Sequence, residues 1–427
     1  MKGKTAGRPL PPAAYNMRCK TERIRHDLES LAEFNMTPGD GCTRLSYTRE
    51  FALARDYIRN EMEAAGLKVR EDAAGNLIGR YPGKMDKPVI MTGSHFDTVF
   101  HGGNFDGQAG VCAAIEVARI LGENNFTPCH PIDFIAMPEE EGARFGGGLF
   151  GSRAICSGVS TDELKTLKDA DGVSLYQALE NYGLNPDEIG NARIRPDDIA
   201  AFIELHIEQG PVLEQNGKDI GIVDAIVSLE GFDILIKGRA DHAGSTPMAM
   251  RADALLAAAK AISAATDKAV ACGDGTVITF GCIKSVPESA NVVPSEVRFT
   301  ADCRSPYVSS IGRVMETFRE SLRESAGAFP DLSFEIKRNL QAEPALMDET
   351  LKKLIEEAAD ELSLSSMHLL SGAGHDTMNF KGICPLAMIF VPSRGGRSHC
   401  PQEWTDYRQV SDGADVLLRT VVKAASR

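Results

Sequence analysis

Four short apolar runs punctuate this chain, and each gives way to polar or acidic residues. Pro88 to Met91 leads into Ser94-His95-Phe96-Asp97, and Ile132 to Met137 leads into Glu139-Glu140-Glu141-Gly142. Ile199 to Leu205 ends on His206, and Leu386 to Val391 precedes His399. Short apolar runs with polar residues at their ends fit fully buried strands. Between them the period turns helical. Tyr47 to Ala65 puts Phe51, Ala54, Tyr57, Ile58 and Met62 on one face, with Gly66 as the stop. Val69 to Arg80 reads as strands broken by the turn Ala73-Ala74-Gly75-Asn76. Gly107 to Leu121 reads as a helix rich in Ala, Val and Ile. Strands alternating with helices imply an α/β fold with a mostly parallel sheet flanked by helices.

The pattern changes near Val223. Ile226 to Lys237 alternates like a strand. Ser245-Thr246-Pro247 offers a capping hydroxyl and a first-turn proline, which predicts a helix running to about Ala265. Val277 to Ile283, Glu296 to Asp302 and Leu332 to Ile336 read as strands, and Ile311 to Ala326 as a helix. Strand-helix-strand-strand-helix-strand is the ferredoxin-like split unit. The expected organisation is therefore a catalytic domain in two parts, 1–224 and 341–427, with an inserted α+β domain at 225–340. In the second part, Glu349 to Leu362 reads as a helix and Met367 to Leu370 as a strand.

The polar residues after the four runs define the candidate chemistry. Adjacent carboxylates past a buried strand repel one another, and a divalent cation is the usual partner that offsets them. In open α/β sheets, ligands bind beyond the carboxyl ends of the strands. Three histidines, the acidic cluster and Asp106, in Gly103-Asn104-Phe105-Asp106-Gly107, make a mixed nitrogen and oxygen donor set. Such a set suits zinc, manganese, cobalt or nickel rather than calcium. Five ligands with one shared carboxylate suit two metal ions.

Composition narrows the function classes. With 427 residues, 43% hydrophobic and 25% charged, the chain reads as globular with a large core. A net charge of −14 argues against nucleic acid and against an anionic membrane surface. No apolar run reaches transmembrane length. The basic, proline-bearing stretch Met1 to Arg23 lacks the apolar core of a signal peptide and reads as a flexible or surface-draped leader. Ten scattered cysteines with no CxxC pair read as reduced thiols of a cytoplasmic protein. His26, His101, His130 and His368 have no partner motif and read as structural or surface residues.

Several motifs occur together in order. They are Gly93-Ser94-His95-Phe96-Asp97-Thr98, Glu140-Glu141-Gly142-Ala143-Arg144-Phe145 and Glu204-Leu205-His206-Ile207-Glu208-Gln209-Gly210. Further along come His242-Ala243-Gly244, Asn291-Val292-Val293-Pro294, Gly372-Ala373-Gly374-His375-Asp376, and Ser398-His399 with Pro401 and Glu403. Over residues 45–425 the chain resembles the hydantoinase/carbamoylase family of dinuclear metal amidohydrolases, within the aminoacylase and carboxypeptidase-like superfamily. That family includes N-carbamoyl-L-amino acid hydrolases, allantoate amidohydrolase and yeast-type β-alanine synthase.

The resemblance implies a zinc-exopeptidase-like fold and roles for matching residues. His95, Asp106 and His206 match the ligands of one metal, and Asp106, Glu141 and His399 those of the other. Glu140 matches the general base, Asp97 the carboxylate that orients His95, and His242 the group that polarises the scissile carbonyl. Gln209, Asn291, Arg304 and His375 match substrate contacts, with Arg304 the clamp for a substrate carboxylate. The implied substrate is an N-carbamoyl-L-amino acid, with allantoate or another ureide, or a dipeptide or acyl amino acid, as alternatives. The implied assembly is a homodimer through the inserted domain. Asp241, Arg397 and Cys400 depart from the family's usual residues around the site, and Asp241 is expected to act on the neighbouring His242.

Overall fold

The computed structural model describes residues 16–427. The strands, in chain order, are β1 (Lys68–Glu71), β2 (Leu77–Tyr81), β3 (Val89–His95), β4 (Ile132–Met137), β5 (Ile199–Ile207), β6 (Ile220–Ile226) and β7 (Ser228–Lys237). They continue as β8 (Val277–Val286), β9 (Glu296–Ser305), β10 (Ser333–Ala342), β11 (Ala345–Leu346), β12 (Ser366–Ser371) and β13 (Leu386–Val391). By chain contacts the protein divides into two compact units. One is Met1–Asp224 with Leu346–Leu369 and His375–Arg427; the other is Ala225–Ala345 with Leu370–Gly374.

The larger sheet has the order β1-β2-β4-β3-β5-β13-β6-β11, with β12 beside β6. Its centre, β4-β3-β5-β13, is parallel, as the alternation of strands and helices predicts. Every residue of β3, β4 and β13 is buried, and so is nearly all of β5. That explains why these four runs are apolar throughout rather than alternating, because helices cover both faces of a parallel sheet. Burying one such Ile, Leu or Phe side chain contributes about 1.5–3 kcal/mol. The margins are antiparallel at β1–β2, β2–β4 and β13–β6.

Register sets the function of this sheet. His95 ends β3 opposite Met137, the last residue of β4, and Val391, the last of β13, stands opposite Ile207. Four parallel strands therefore finish at one level. The helix Gln108–Glu123 runs back from that level with almost all of its side chains buried. Gly110 permits the approach, because a Cβ there would lie 2.2 Å from the carbonyl oxygen of Leu205.

In the second unit the four-stranded sheet has the order β10-β7-β9-β8, all antiparallel. Strand β9 lies between β7 and β8, so the first strand-helix-strand unit is split. Helices Ala254–Cys272 and Val308–Ala328 bury Ala257, Ala261, Ile311 and Phe318 with Ile234 and Phe299 of the sheet.

Two expectations need correction. The first helix of this unit does not open at Ser245-Thr246-Pro247. A single short turn, Met248–Met250, follows Pro247, and the helix starts at Ala254. Arg251 donates to the carbonyls of Thr246 and Ala243, which holds the preceding segment as a loop. Asp253 then caps the helix by accepting the amides of Leu255 and Leu256. The helix also continues to Cys272, beyond the expected end. The second correction concerns the leader. Residues 1–15 lie outside the described residues, but Met17 is buried and Thr21–Ala32 is a helix packed into the core.

No helix among the described residues is long and apolar enough to cross a membrane. All ten cysteines are free.

Candidate metal centre

The level where the parallel strands end is also where the candidate ligands meet. His95 closes β3, and His206 lies one residue from the end of β5. Glu140 and Glu141 follow β4 across Pro138 and the left-handed Glu139, whose φ is 55°. Gln209 and His399 are also left-handed, at φ 57° and 55°. Such backbone is costly for residues with a Cβ and is found where the surroundings hold a functional side chain in place.

Asp106 is the centre of the cluster. Its Oδ1 is 3.2 Å from His206 Nε2 and 3.5 Å from His95 Nε2. Its Oδ2 is 3.3 Å from His399 Nε2, which is itself 3.4 Å from Glu141 Oε2. The two carboxylate oxygens thus face two different donor sets. Ligand atoms of His95, Asp106 and His206, and of Asp106, Glu141 and His399, lie within 4.8 Å of one another in each group.

The histidines are turned for coordination. His95 Nδ1 lies 3.1 Å from the main-chain oxygen of Asp97, and His206 Nδ1 lies 2.9 Å from that of Ile207. A carbonyl only accepts, so each Nδ1 carries a proton, and Nε2 is the atom turned toward Asp106, where a cation would take the place of its proton. The amide of Gly107 lies 3.3 Å from the same His206 Nε2. Gly107 is obligatory here: its φ is 68°, and a Cβ would lie 2.4 Å from the His95 ring.

Electrostatics make the same argument. Burial, opposed in part by His95, pushes Glu140 well above the usual carboxylate range, and the charges of Glu141, Asp376 and Asp97 add to this. Burial and the charge of Asp106 push Glu141 up to about 8. Burial also works against ionisation of Asp106, but hydrogen bonds with His206, His399 and His95 hold it well below its ordinary value. Its hydrogen bond to Asp106 lifts His399 to about 9. The protein has gathered buried negative charge that protons only partly offset. Divalent cations fit this donor set, with nitrogen and oxygen atoms and a carboxylate flanked on both oxygens by histidine nitrogens.

The supporting shell differs in part from expectation. The Asp97 carboxylate accepts the backbone amides of Glu140 and Glu141 at 3.1 and 3.2 Å. It stands 3.6 Å from His95 Nδ1, so its main-chain oxygen is the nearer partner of that ring. Asp97 therefore anchors the acidic segment as much as it orients His95. Glu403 had no assigned role in the sequence. Its carboxylate accepts the amides of Phe105 and Asp106 at 2.9 and 3.0 Å and the Ser398 hydroxyl at 2.6 Å. Ser398 is also 2.7 Å from Asp106 Oδ2. Glu403 thus fixes both main chain and side chain of the central ligand; only its place in the Ser398-His399 motif hinted at this. Glu139 is not among the grouped ligand atoms and accepts the amide of Phe145.

Of the substrate candidates, Gln209 and His375 lie beside the cluster. Gln209 Nε2 is 2.6 Å from Asp106 Oδ2, and the buried His375 ring is 4.5 Å from that of His206. His242, Asn291 and Arg304 belong to the second unit. His242 Nδ1 accepts the amides of Gly244 and Ser245, so its proton sits on Nε2, a hydrogen-bond donor on an exposed ring. Asn291 accepts the Ser289 hydroxyl, and its main-chain oxygen accepts the amide of Ala243. The Arg304 fork is filled by Asp302 at 2.8 and 3.1 Å, with Nη1 on the oxygen of Gly372. Asp241 is paired with Arg239, and Arg397 with Gln402.

The sequence profile described as Peptidase family M20/M25/M40 matches residues 91–423. An N-carbamoyl-L-amino-acid amidohydrolase of Paenarthrobacter aurescens is 44% identical over 96% of this chain and 99% of its own length. The allantoate amidohydrolase of Escherichia coli strain K12 is 36% identical over 95% of this chain and 98% of its own. The crystal structure of a hydantoinase/carbamoylase family amidase from Burkholderia multivorans superposes with a TM-score of 0.90, at 30% identity, covering 96% and 99% of the two chains.

The Glu403 network yields a test. Glu403→Gln keeps the shape but loses the charge that holds Phe105, Asp106 and Ser398 together. Metal affinity should fall by about 10–100-fold, the usual scale for residues that orient ligands. Calorimetric titration of metal-free protein with Mn²⁺ or Zn²⁺ measures it, and an unchanged affinity would show that Glu403 does not position the centre.

Proposed function

The chain belongs to Peptidase family M20/M25/M40 and to the hydantoinase/carbamoylase amidases within it. From that premise we propose that it hydrolyses N-carbamoyl-L-amino acids, releasing the amino acid, CO2 and ammonia. It is an amidohydrolase of non-peptide carbon–nitrogen bonds. The observation that carries the substrate reading is the near full-length identity with relatives named N-carbamoyl-L-amino-acid amidohydrolase, joined to a cluster with every expected ligand type. The allantoate amidohydrolase relatives favour a second reading, attack on the ureido bond of allantoate.

The mechanism follows from what each side chain can do. Two divalent ions, held by His95, Asp106 and His206 and by Asp106, Glu141 and His399, would acidify water and polarise the carbonyl. Glu140 Oε2 is 3.7 Å from His95 Nε2, and Glu140 is not among the side chains that grip the loops. Burial raises its affinity for a proton, which suits a general base that takes the proton from attacking water and hands it to the departing nitrogen. Asp97 keeps Glu140 and Glu141 at fixed stations by holding their amides. His242 presents its Nε2–H to the developing oxyanion. Arg304 offers two parallel donors to a carboxylate, for which the substrate competes with Asp302.

The direct test is a panel assay. Metal-loaded protein is offered N-carbamoyl-L-amino acids, allantoate, ureidoglycolate, β-ureidopropionate and dipeptides, and ammonia and amine are measured. N-carbamoyl-L-amino acids are expected to have the highest kcat/KM. Faster turnover of allantoate selects the second reading, and turnover of dipeptides alone contradicts both.

The acidic pair separates base from ligand. Glu140→Gln should bind metal almost as the parent does while turnover falls by about 10²–10⁴-fold. Glu141→Gln should instead lose metal. The reverse pattern would exchange the two roles.

We further propose a homodimer in which His242 serves the site of the other copy. An exposed His242 on its own loop, together with the family resemblance, supports this arrangement. His242→Ala and Glu140→Gln chains should each be nearly inactive, and mixed dimers should regain one working site. No recovery after verified subunit exchange would place His242 in its own chain's chemistry or outside it.

A further inference from the structure

The sequence carries a net charge of −14, yet one cavity in the first unit is lined by six cations and a single carboxylate, Asp198. It has a volume of about 410 Å³, the size range of sites for small organic ligands. Lys68, Arg70 and Arg80 come from the β1–β2 ribbon, and Lys87, Arg193 and Arg195 from the segments that lead into β3 and β5. It lies toward the amino ends of strands whose carboxyl ends carry His95 and His206. It is therefore separate from the metal centre.

These charges are only partly satisfied. Arg80 is held by the buried Asp133 through two bonds of 2.7 Å. Lys87 is 2.6 Å from Asp198, and Arg195 reaches the same carboxylate at 3.6 Å. Lys68, Arg70 and Arg193 make no ion pair or side-chain hydrogen bond with any described residue; Arg70 acts on Asp72 only at longer range.

The register adds an independent sign. Lys68 stands directly opposite Arg80 across the antiparallel pair, and Arg70 follows on the same face. Like charges placed opposite one another destabilise a sheet. An anion seated between them would remove that repulsion and form charge-assisted hydrogen bonds with the guanidinium forks. The lining is not only polar: Ile78, Met91 and Ile155 give it an apolar floor, with Ile78 and Met91 almost fully buried.

We propose that this cavity binds a small organic phosphate carrying more than one anionic group, with the phosphates on the cationic rim and an uncharged body on the apolar floor. Occupancy ties the β1–β2 ribbon to the segments that enter β3 and β5, and so stiffens the strands that present His95 and His206.

The probe is adenosine 3′,5′-bisphosphate, offered to the metal-loaded protein in equilibrium dialysis, with adenosine and inorganic phosphate as comparators. Hydrogen exchange on the same samples locates the site. The bisphosphate should bind more tightly than either comparator and protect amides of residues 68–71 and 191–195. In the Arg70→Glu/Arg193→Glu variant, affinity should fall about tenfold or more, the scale of losing one charge-assisted contact. Turnover of the amide substrate should stay at the parental rate, which verifies folding. Arg70→Gln/Arg193→Gln offers a gentler neutralisation and should weaken binding in the same direction. Three results would each overturn the proposal: no binding, binding unchanged by both variants, or binding competitive with substrate and without protection at these segments. Equal affinity for inorganic phosphate and the bisphosphate would overturn the organic body.

Discussion

Negative charge held out of water at the ends of parallel strands is the constraint on which this structure depends. Asp97, Asp106, Glu139, Glu140 and Glu403 are all buried, and Glu141 is nearly so. Isolated buried carboxylates are costly, and each must find a donor, a proton or a cation. The fold supplies donors wherever the carboxylate has a structural task. Asp97 takes two backbone amides, Glu403 takes two amides and a hydroxyl, and Glu139 takes one amide. Glu140 and Glu141 are left facing the histidines. The distinction between acids that hold loops and acids that face the cluster supports the proposed roles of Glu140 and Glu141.

Geometry at the centre follows from strand register rather than from local sequence. Four parallel strands ending at one level bring His95, the Glu140–Glu141 segment and His206 together from a stretch of more than a hundred residues. Main-chain carbonyls of Asp97 and Ile207 then hold Nδ1 of each histidine and turn Nε2 toward Asp106. Gly107 leaves the space the His95 ring occupies. A rigid sheet edge with left-handed residues at Glu139, Gln209 and His399 holds the site without relying on long flexible loops.

Much of this was legible in the chain itself. Fully apolar runs predicted the central strands, since burial on both faces removes alternation, and the order of helices and strands predicted the split unit. The polar residues after the runs, with Asp106, marked the segments that meet; the choice of Glu141 within the acidic cluster and of Asp106 as the shared carboxylate came from the family resemblance. What escaped depends on long-range contacts. The helix start at Asp253 was hidden by a better-looking cap at Ser245, which Arg251 keeps in a loop. Glu403 belongs to the Ser398-His399 motif in sequence, but its role shows only in the fold, where it accepts the amide of Asp106, nearly three hundred residues away. The helix Thr21–Ala32 follows a proline-rich stretch whose composition suggested no order.

The central proposal is that Asp106 would serve two cation positions, with His95 and His206 on one side and Glu141 and His399 on the other. Metal content at saturation tests it most directly. Protein stripped of metal, titrated with Mn²⁺ or Zn²⁺ and freed of excess ion, should retain about two equivalents per chain by elemental analysis, with activity following occupancy of the second. Saturation at one equivalent with full turnover would contradict the account.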